Sequence, residues 1–358
     1  MRKYTPFLKM KVNEFSALQE LPADIYPKIV PFFDLPHKKD RDAAGLDKLI
    51  SDSSKKMNKM AERIPRFFLD MYDIPDSLAS QGVGVFYNVA LAFQNQDFIP
   101  VAGLDRSRAY VSSILLAQSK GLLTSKTLAI RLVEEDFESY AACKSDVAAL
   151  VASAKSAGFN EFILVLDMRV CVSKSPQILA HTLLKFIGAV TQLPTFKQIV
   201  IAGSSITAQI VELVPTGTTQ TVERIELQTF NLINSLPKDL VGFGDYTIVS
   251  PEYSEIDFPK ELLRNVTAPK LCYSYNDVHY IDRGSALKTH ILGNGQYNNM
   301  AANLVKEPFF RQARYSFGED FLIEKARGQG GSVTPSSILK PTICAHMTYM
   351  VRAHRLFV

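Results

Sequence analysis

The stretch EFILVLDMR, residues 161–169, decides the fold. Five apolar residues in succession between Glu161 and Asp167 do not alternate as a strand with one wet face would, so both faces of this strand must be covered. Such strands occur where helices flank a parallel sheet. The segment before it, residues 145–157, is Ala-rich with helical period and stops at Gly158, a residue suited to a left-handed C-cap. Working outward, seven further apolar runs recur at residues 4–11, 26–34, 66–70, 98–105, 128–133, 198–204 and 241–249, each ending at or beside a polar residue. Between them lie stretches of helical character such as 42–64 and 83–93, and gaps long enough for the crossovers that parallel strands require. Eight such units within about 250 residues predict a closed (β/α)8 barrel of the TIM type. A six-stranded open sheet would carry a Gly-rich turn after its first strand, and there is none. Residues 1–251 are expected to form the barrel, and residues 252–358 a C-terminal extension packing on or near its mouth.

Composition narrows the function classes. Of 358 residues, 47% are hydrophobic and 21% charged, enough apolar material for a large core, which excludes fibrous and disordered chains. Forty basic against 36 acidic side chains leave +4, too small a surplus to indicate nucleic acid as a direct partner, because phosphate binding needs clustered cations. The apolar runs fall far short of the roughly 20 residues that cross a bilayer, so no membrane association is expected. The opening MRKYTPFLKMKVNE is interrupted by Lys9, Lys11 and Glu14 before any signal-peptide core could form. Cys143, Cys171, Cys272 and Cys344 form no CxxC pair. Together these predict a cytoplasmic protein with reduced thiols.

In a closed barrel the strand ends converge on one face, where such folds place their chemistry. The residues at those ends are Lys9, Lys11, Asp34, Asp70 with Asp73, Asp105 with Arg106, Arg131 with Glu134, Asp167 with Arg169, Ser204 with Ser205, and Asp245. Several carboxylates in one mouth repel unless cations, shared protons or a metal offset them. Lys9, Lys11, Arg131 and Arg169 are placed to do part of this. Asp34 and Asp167 are therefore the candidate catalytic bases, and Lys9, Lys11, Glu14, Asp105, Arg131, Arg169 and Asp245 the candidate ligand-binding set. A Mg²⁺-type ion held by three carboxylates is the candidate cofactor. The plainer alternative for each is an Asp capping the next helix or an Arg–Asp structural pair. Alternation is expected to point Asp167 and Arg169 to the same face. The six histidines make no HxH or HExxH pattern, assign no metal site, and read as surface or capping residues. No GxSxG, P-loop or GxGxxG occurs. Tyr273, Tyr275 and Tyr280, with Asn276 and Asp277, read either as a recognition loop or as an exposed strand.

The opening Tyr4-Thr5-Pro6-Phe7-Leu8-Lys9-Met10-Lys11, followed by Glu14 and Ala17-Leu18, resembles the start of the "beta protein" family of phages and bacterial mobile elements. Ser316-Phe317-Gly318-Glu319-Asp320 with Ile323, Ala326 and Gly328, and the segment bearing His346 and His354, are similar to that family's C-terminal pattern. The resemblance implies a setting of phage–host conflict, sometimes beside a nuclease, and no particular reaction. Two functions are consistent with these observations. The first is recognition of a protein partner of phage or host through the C-terminal extension, with a small ligand, if any, at the barrel mouth. The second is a metal-assisted or acid–base hydrolase or lyase, with Asp34 or Asp167 as base and Lys9, Lys11, Arg131 and Arg169 stabilising negative charge. If catalysis holds, the carboxylates should surround an open cavity; if recognition holds, they should be paired off or plugged and the C-terminal extension should expose an apolar patch.

Overall fold

A computed structural model describes residues 3–78, 84–191, 196–233, 236–237, 240–253, 267–354 and 356–357. Seven of the barrel strands appear in chain order: β1 Tyr4–Lys9, β2 Phe32–Asp34, β3 Phe67–Asp70, β4 Phe98–Gly103, β5 Thr127–Val133, β6 Glu161–Val170 and β7 Gln198–Ser204. An additional strand, β8 Thr218–Glu223, precedes the last barrel strand, β9 Val241–Asp245. The sheet closes in the order β1-β2-β3-β4-β5-β6-β7-β9 with every pair parallel, β1 returning onto β9. The (β/α)8 barrel expected from the apolar runs is therefore the fold.

Register sets what each strand shows to the interior. Phe7 pairs with Phe32 and Phe32 with Phe68, and their rings stack at 4.2 and 5.4 Å inside the ring of strands. Ile99, Val101, Ala129, Ile163, Val165, Val200, Ala202 and Tyr246 complete this inner cluster, one residue in two along each strand. The barrel narrows beside β9, where a Cβ on Gly244 would stand 2.6 Å from the Thr5 carbonyl oxygen and 2.8 Å from the Phe7 ring. Glycine at 244 is what lets Phe7 occupy the interior.

The outer layer is built from amphipathic helices. These are α1 Val12–Gln19, α2 Ala43–Asn58, α3 Val85–Ala92, α4 Arg108–Ser119, α5 Glu134–Phe137, α6 Tyr140–Ala157, α7 Pro176–Val190 and α8 Ile225–Leu232. Asp42 caps α2 by accepting from the Gly45 N–H at 2.8 Å, and Gly158 ends α6 at φ 106° as its sequence position suggests. Val83, read as the start of the third helix, lies outside the described residues.

The extension is threaded into the barrel at two points. β8 leaves the β7–α8 connection to pair with β11 Val278–Arg283, which pairs in turn with β10 Lys270–Tyr275, giving an antiparallel order β10-β11-β8. Helices α9 Gln296–Leu304 and α10 Phe317–Ala326 cover one face of this small sheet, burying Leu271, Tyr273 and Tyr280. Its other face, with Cys272 and Ile281, joins the main core. The tyrosine-rich stretch is thus a hairpin turning at Asn276 (φ 43°), and its Tyr273 and Tyr280 rings are buried; it is neither a recognition loop nor an exposed strand. The chain then returns as α11 Leu339–Arg352, which packs on α1 and β1 and supplies the helix that follows β9 in the ring. The described part of the extension therefore lies along the barrel's flank, and residues 250–253 are what reaches over the mouth.

Because α11 completes the barrel's outer layer, its apolar residues behave as barrel core although they are far along the chain. Ile343 is fully buried in the main cluster. Ile343→Ala is expected to cost about 2–5 kcal/mol of unfolding free energy, measured by denaturant titration of the full chain.

Candidate ligand site at the barrel mouth

Four strands deliver charge to the top of the interior. Asp34 and Asp70 end β2 and β3 and Asp167 lies near the end of β6, all with inward parity, and Arg131 projects from β5 between them. The Arg131 guanidinium donates through Nη1 to Asp34 Oδ1 (2.9 Å) and Asp70 Oδ2 (2.8 Å). Through Nε and Nη2 it donates to Asp167 Oδ2 (3.0 and 2.6 Å), and through Nη2 to the Tyr246 hydroxyl (2.6 Å). Tyr246 in turn donates to Asp167 Oδ2 at 2.6 Å. Asp70 is also held by Arg106 at 2.8 Å. The guanidinium carbon of Arg131 lies 5.2 Å from the Phe32 ring centre and 4.5 Å from that of Tyr72, and Tyr72 also meets Arg106 (4.5 Å) and Arg169 (4.4 Å). Arg131, Asp34, Asp70 and Asp167 are each no more than 2% exposed.

Such burial is tolerable only because the charges answer one another. Burial alone would lower the Arg131 pKa, yet Asp34, Tyr246, Asp167 and Asp70 together drive it well above the ordinary arginine value. For Asp34 burial dominates and, with Asp70 and Asp73 adding repulsion, lifts its pKa to about 6 against the pull of Arg131. Three carboxylates do converge, as a divalent ion would need, but the donor set does not fit one: the guanidinium occupies the point toward which their oxygens turn. Among the described residues no group of three or more His, Cys, Asp or Glu is arranged to hold a metal.

Around this plug the remaining candidates take distinct places. The Lys9 ammonium donates to the Pro251 carbonyl at 3.0 Å and lies 3.5 Å from the Tyr253 ring centre, with Lys11 at 4.9 Å; the His37 N–H donates to the Tyr253 hydroxyl at 3.0 Å. Residues 250–253 are thereby pinned across the mouth. Burial, reinforced by Lys11, lowers Lys9 to about 8. Glu14 accepts from the Lys9 backbone N–H, and burial lifts it to about 7. Asp105 sits at the rim and reaches the plug only through Arg106. Arg169 departs from the alternation expected of it: its φ is 52°, in a bulge where the β6–β7 register shifts, and its N–H donates to Asp167 Oδ1 at 2.9 Å. Its side chain consequently turns out of the plug into a cleft of about 1120 Å³, shared with His37, Lys38, Asp73, Lys174 and Tyr253.

Asp245 is not at the mouth. Gly244 and Tyr246 take the inward positions of β9, so Asp245 faces the outer layer. There it accepts from the Tyr4 hydroxyl (2.5 Å) and Arg224 Nη2 (2.5 Å) and meets His346 Nε2 at 3.1 Å. Arg224 also pairs with Glu226 (3.0 Å), and Ser205 donates to Glu226 at 2.6 Å. His346 Nδ1 lies 2.6 Å from Ser274 Oγ, which lies 2.9 Å from His279 Nδ1. The reading of the histidines as surface residues fails here: His279, His346 and His354 are buried. Burial lowers the pKa of both His279 and His346, which keeps them neutral beside Arg224. Ser274, His346 and Asp245 stand in the order of a nucleophile relay. Ser274 is nevertheless 1% exposed and shared between two imidazoles, so the group serves to fasten the hairpin and α11 to the barrel wall. Sequence reasoning missed Tyr246, Tyr72, Tyr253 and His37 at the mouth. For Tyr246 a signal existed, because it shares parity with Gly244 and Gly242 on a strand whose inward positions are otherwise empty.

A closed parallel (β/α)8 barrel with an arginine-centred charge plug under a tyrosine-bearing segment is the class these observations define. Within it the chain belongs to the Beta protein family, matching that family over residues 4–352. No curated protein matches it. Nine chains of solved structures do. A glucosidase from Croceicoccus marinus aligns at 12% identity and TM-score 0.35 over 48% of this chain, which spans 42% of the glucosidase's length. A fungal beta-1,4-galactanase aligns at 11% identity and TM-score 0.30 over 69% of this chain and 76% of its own. Among the described residues no helix is long and apolar enough to cross a membrane.

Removing the plug's only guanidinium common to all three carboxylates leaves them buried against one another. Arg131→Met is therefore expected to cost about 3–5 kcal/mol, and Arg131→Lys to recover little, since one ammonium cannot serve three carboxylates and a phenol; equilibrium denaturation reads both. Asp34 at about 6 and Glu14 at about 7 lie above the ordinary carboxylate range, so folding takes up protons as pH falls from about 7 to 4. Their contribution makes the protein more stable toward the acid side of that window. Glu14→Gln should flatten the upper part of the slope in a series of denaturation curves at different pH.

Proposed function

We propose that this protein acts by recognition, with the barrel as a rigid scaffold, the mouth cleft as its contact site, and a protein of phage or host as the partner. A nuclease is among the partners that membership of the family suggests. The observation that carries this reading is the engagement of every inward carboxylate of the plug by Arg131. Asp167 accepts at Oδ2 from two guanidinium nitrogens and Tyr246, and at Oδ1 from the Arg169 N–H; it is fully buried. Asp34 is 2% exposed. A general base must come within hydrogen-bond reach of the proton it removes, and neither carboxylate offers a substrate that approach. The hydrolase or lyase alternative therefore loses its bases to structural pairing, whereas the cleft beside the plug is lined by exposed charged side chains such as Lys38, Glu212 and Glu252. Cations in that cleft, Lys38, Arg169 and Lys174, are interleaved with Asp73, Glu212 and Glu252. This mixed surface favours a protein or small polar ligand over a nucleic-acid backbone, which calls for a continuous basic stripe.

Immobilised full-length protein is expected to capture the same discrete partner from phage-infected host cells as wild type and as Asp34→Asn. The Lys38→Glu/Lys174→Glu double variant should lose it. Turnover of any compound in a panel of hydrolase and lyase substrates, abolished by Asp34→Asn, would replace recognition with catalysis.

A further inference from the structure

Three residues that line one cavity each carry a buried side-chain atom with no hydrogen-bond partner in the chain: His37 Nδ1, Asp73 Oδ2 and Arg169 Nη1. They come from the loops following β2 and β3 and from the bulge near the end of β6, so no single distorted turn explains them. Buried polar groups are ordinarily satisfied, and a cluster of unsatisfied ones around one cleft marks a place where something outside the chain completes the set. The backbone adds a second, independent mark. Arg169 adopts φ 52°, a conformation uncommon for a residue other than glycine, and it is held there by its N–H bond to Asp167 Oδ1. The consequence of that conformation is that a guanidinium which alternation would send into the plug lies instead in the cleft wall, backed by the Tyr72 ring at 4.4 Å. Its Nη2 has only a 3.5 Å approach to the Pro251 carbonyl, and the plug's Tyr246 and Asp167 act on its charge through space. A planar guanidinium with its face stacked and its edge unclaimed suits a two-oxygen acceptor. Lys38 and the Asp73 carboxylate line the same cleft, as does Lys174, whose ammonium is ion-paired with Glu134.

We propose that the mouth cleft binds a small ligand bearing an oxyanion, phosphate or carboxylate, on a carbon skeleton that also carries a hydroxyl or amino donor. The Arg169 fork, with Lys38, takes the oxyanion; the Asp73 carboxylate accepts from the donor, and His37 lines the remaining side of the cleft. The proposal deepens the recognition reading and rests on it, because it treats the mouth as a site that holds its ligand without transforming it.

Calorimetric titration of the purified full chain tests this with four probes: glycerol 3-phosphate, glycerate, inorganic phosphate and glycerol. Glycerol 3-phosphate or glycerate should bind, and whichever is tighter names the oxyanion. Inorganic phosphate should bind about tenfold or more weakly for want of the donor, and glycerol alone should give no heat. Arg169→Ala should weaken the tighter probe by about tenfold or more. Asp73→Asn should abolish the advantage of glycerol 3-phosphate over inorganic phosphate while leaving phosphate itself bound. Lys38→Ala, at an exposed position that folding does not depend on, should weaken both oxyanion probes. Failure of glycerol 3-phosphate, glycerate and phosphate alike to bind, or binding unchanged in both Arg169→Ala and Lys38→Ala, overturns the site while partner capture could still stand. Release of inorganic phosphate from bound glycerol 3-phosphate would keep the site and overturn recognition.

Discussion

One guanidinium organises the upper half of this barrel. Arg131 meets carboxylates from three other strands and a phenol that follows a fourth, with aromatic rings on more than one side. A (β/α)8 barrel has to fill its interior with side chains, and the layers below do so with stacked phenylalanines. At the top the filling is ionic. Continuum reasoning holds that such an arrangement is weak as a source of stability compared with apolar packing, but strongly directional. Here the direction has a use. With Asp34, Asp70 and Asp167 all facing one cation, each strand end is fixed in rotation and height, and the loops that leave those ends start from defined positions.

The second charged cluster works on the outside of the same wall. Asp245, Arg224, Glu226, Tyr4 and His346 join the last barrel strand, the first barrel strand, the start of α8 and the C-terminal helix in one buried set. It adds a directional tie to the apolar contact between the inserted sheet and the barrel, which by itself has no preferred orientation. The two networks therefore divide the labour between interior and exterior, and the parity of β9 assigns Tyr246 to one and Asp245 to the other.

Much of the barrel was legible because buried parallel strands announce themselves as unbroken apolar runs, and all eight lie where those runs do. What escaped notice did so for identifiable reasons. β8, TTQTVE, has four consecutive exposed residues at its start and no apolar face, so it carries no pattern that separates it from a loop. The assignment of α11 as a barrel helix depends on what lies across from it, which no local period encodes. Asp245 was counted among the mouth residues from its position at a strand end without regard to which side it faces; the inward glycines of β9 held that information. Arg169 defeated the alternation argument because a single left-handed residue flips the side chain that follows Asp167, and Arg itself gives no hint of positive φ. The histidines were misjudged because a buried neutral imidazole requires partners distant in sequence: Tyr4, Asp245, Ser274. Of the mouth candidates, Lys9, Asp34, Arg131 and Asp167 assemble from their places at or near strand ends, and Lys11 and Glu14 join them from the start of α1.

The late return of α11 has a consequence for how the chain is made. About ninety residues separate β9 from the helix that seals its flank. At ordinary elongation rates of about 5–20 residues per second, that stretch takes roughly 5–20 s to emerge. For that interval the ribosome-bound chain displays the bare seam between its first and last barrel strands, an apolar groove in the company of chaperones and of other nascent chains. The inserted sheet, with its own small core of Leu271, Tyr273 and Tyr280, reaches the seam first, so its docking sets the timetable on which the ring can shut.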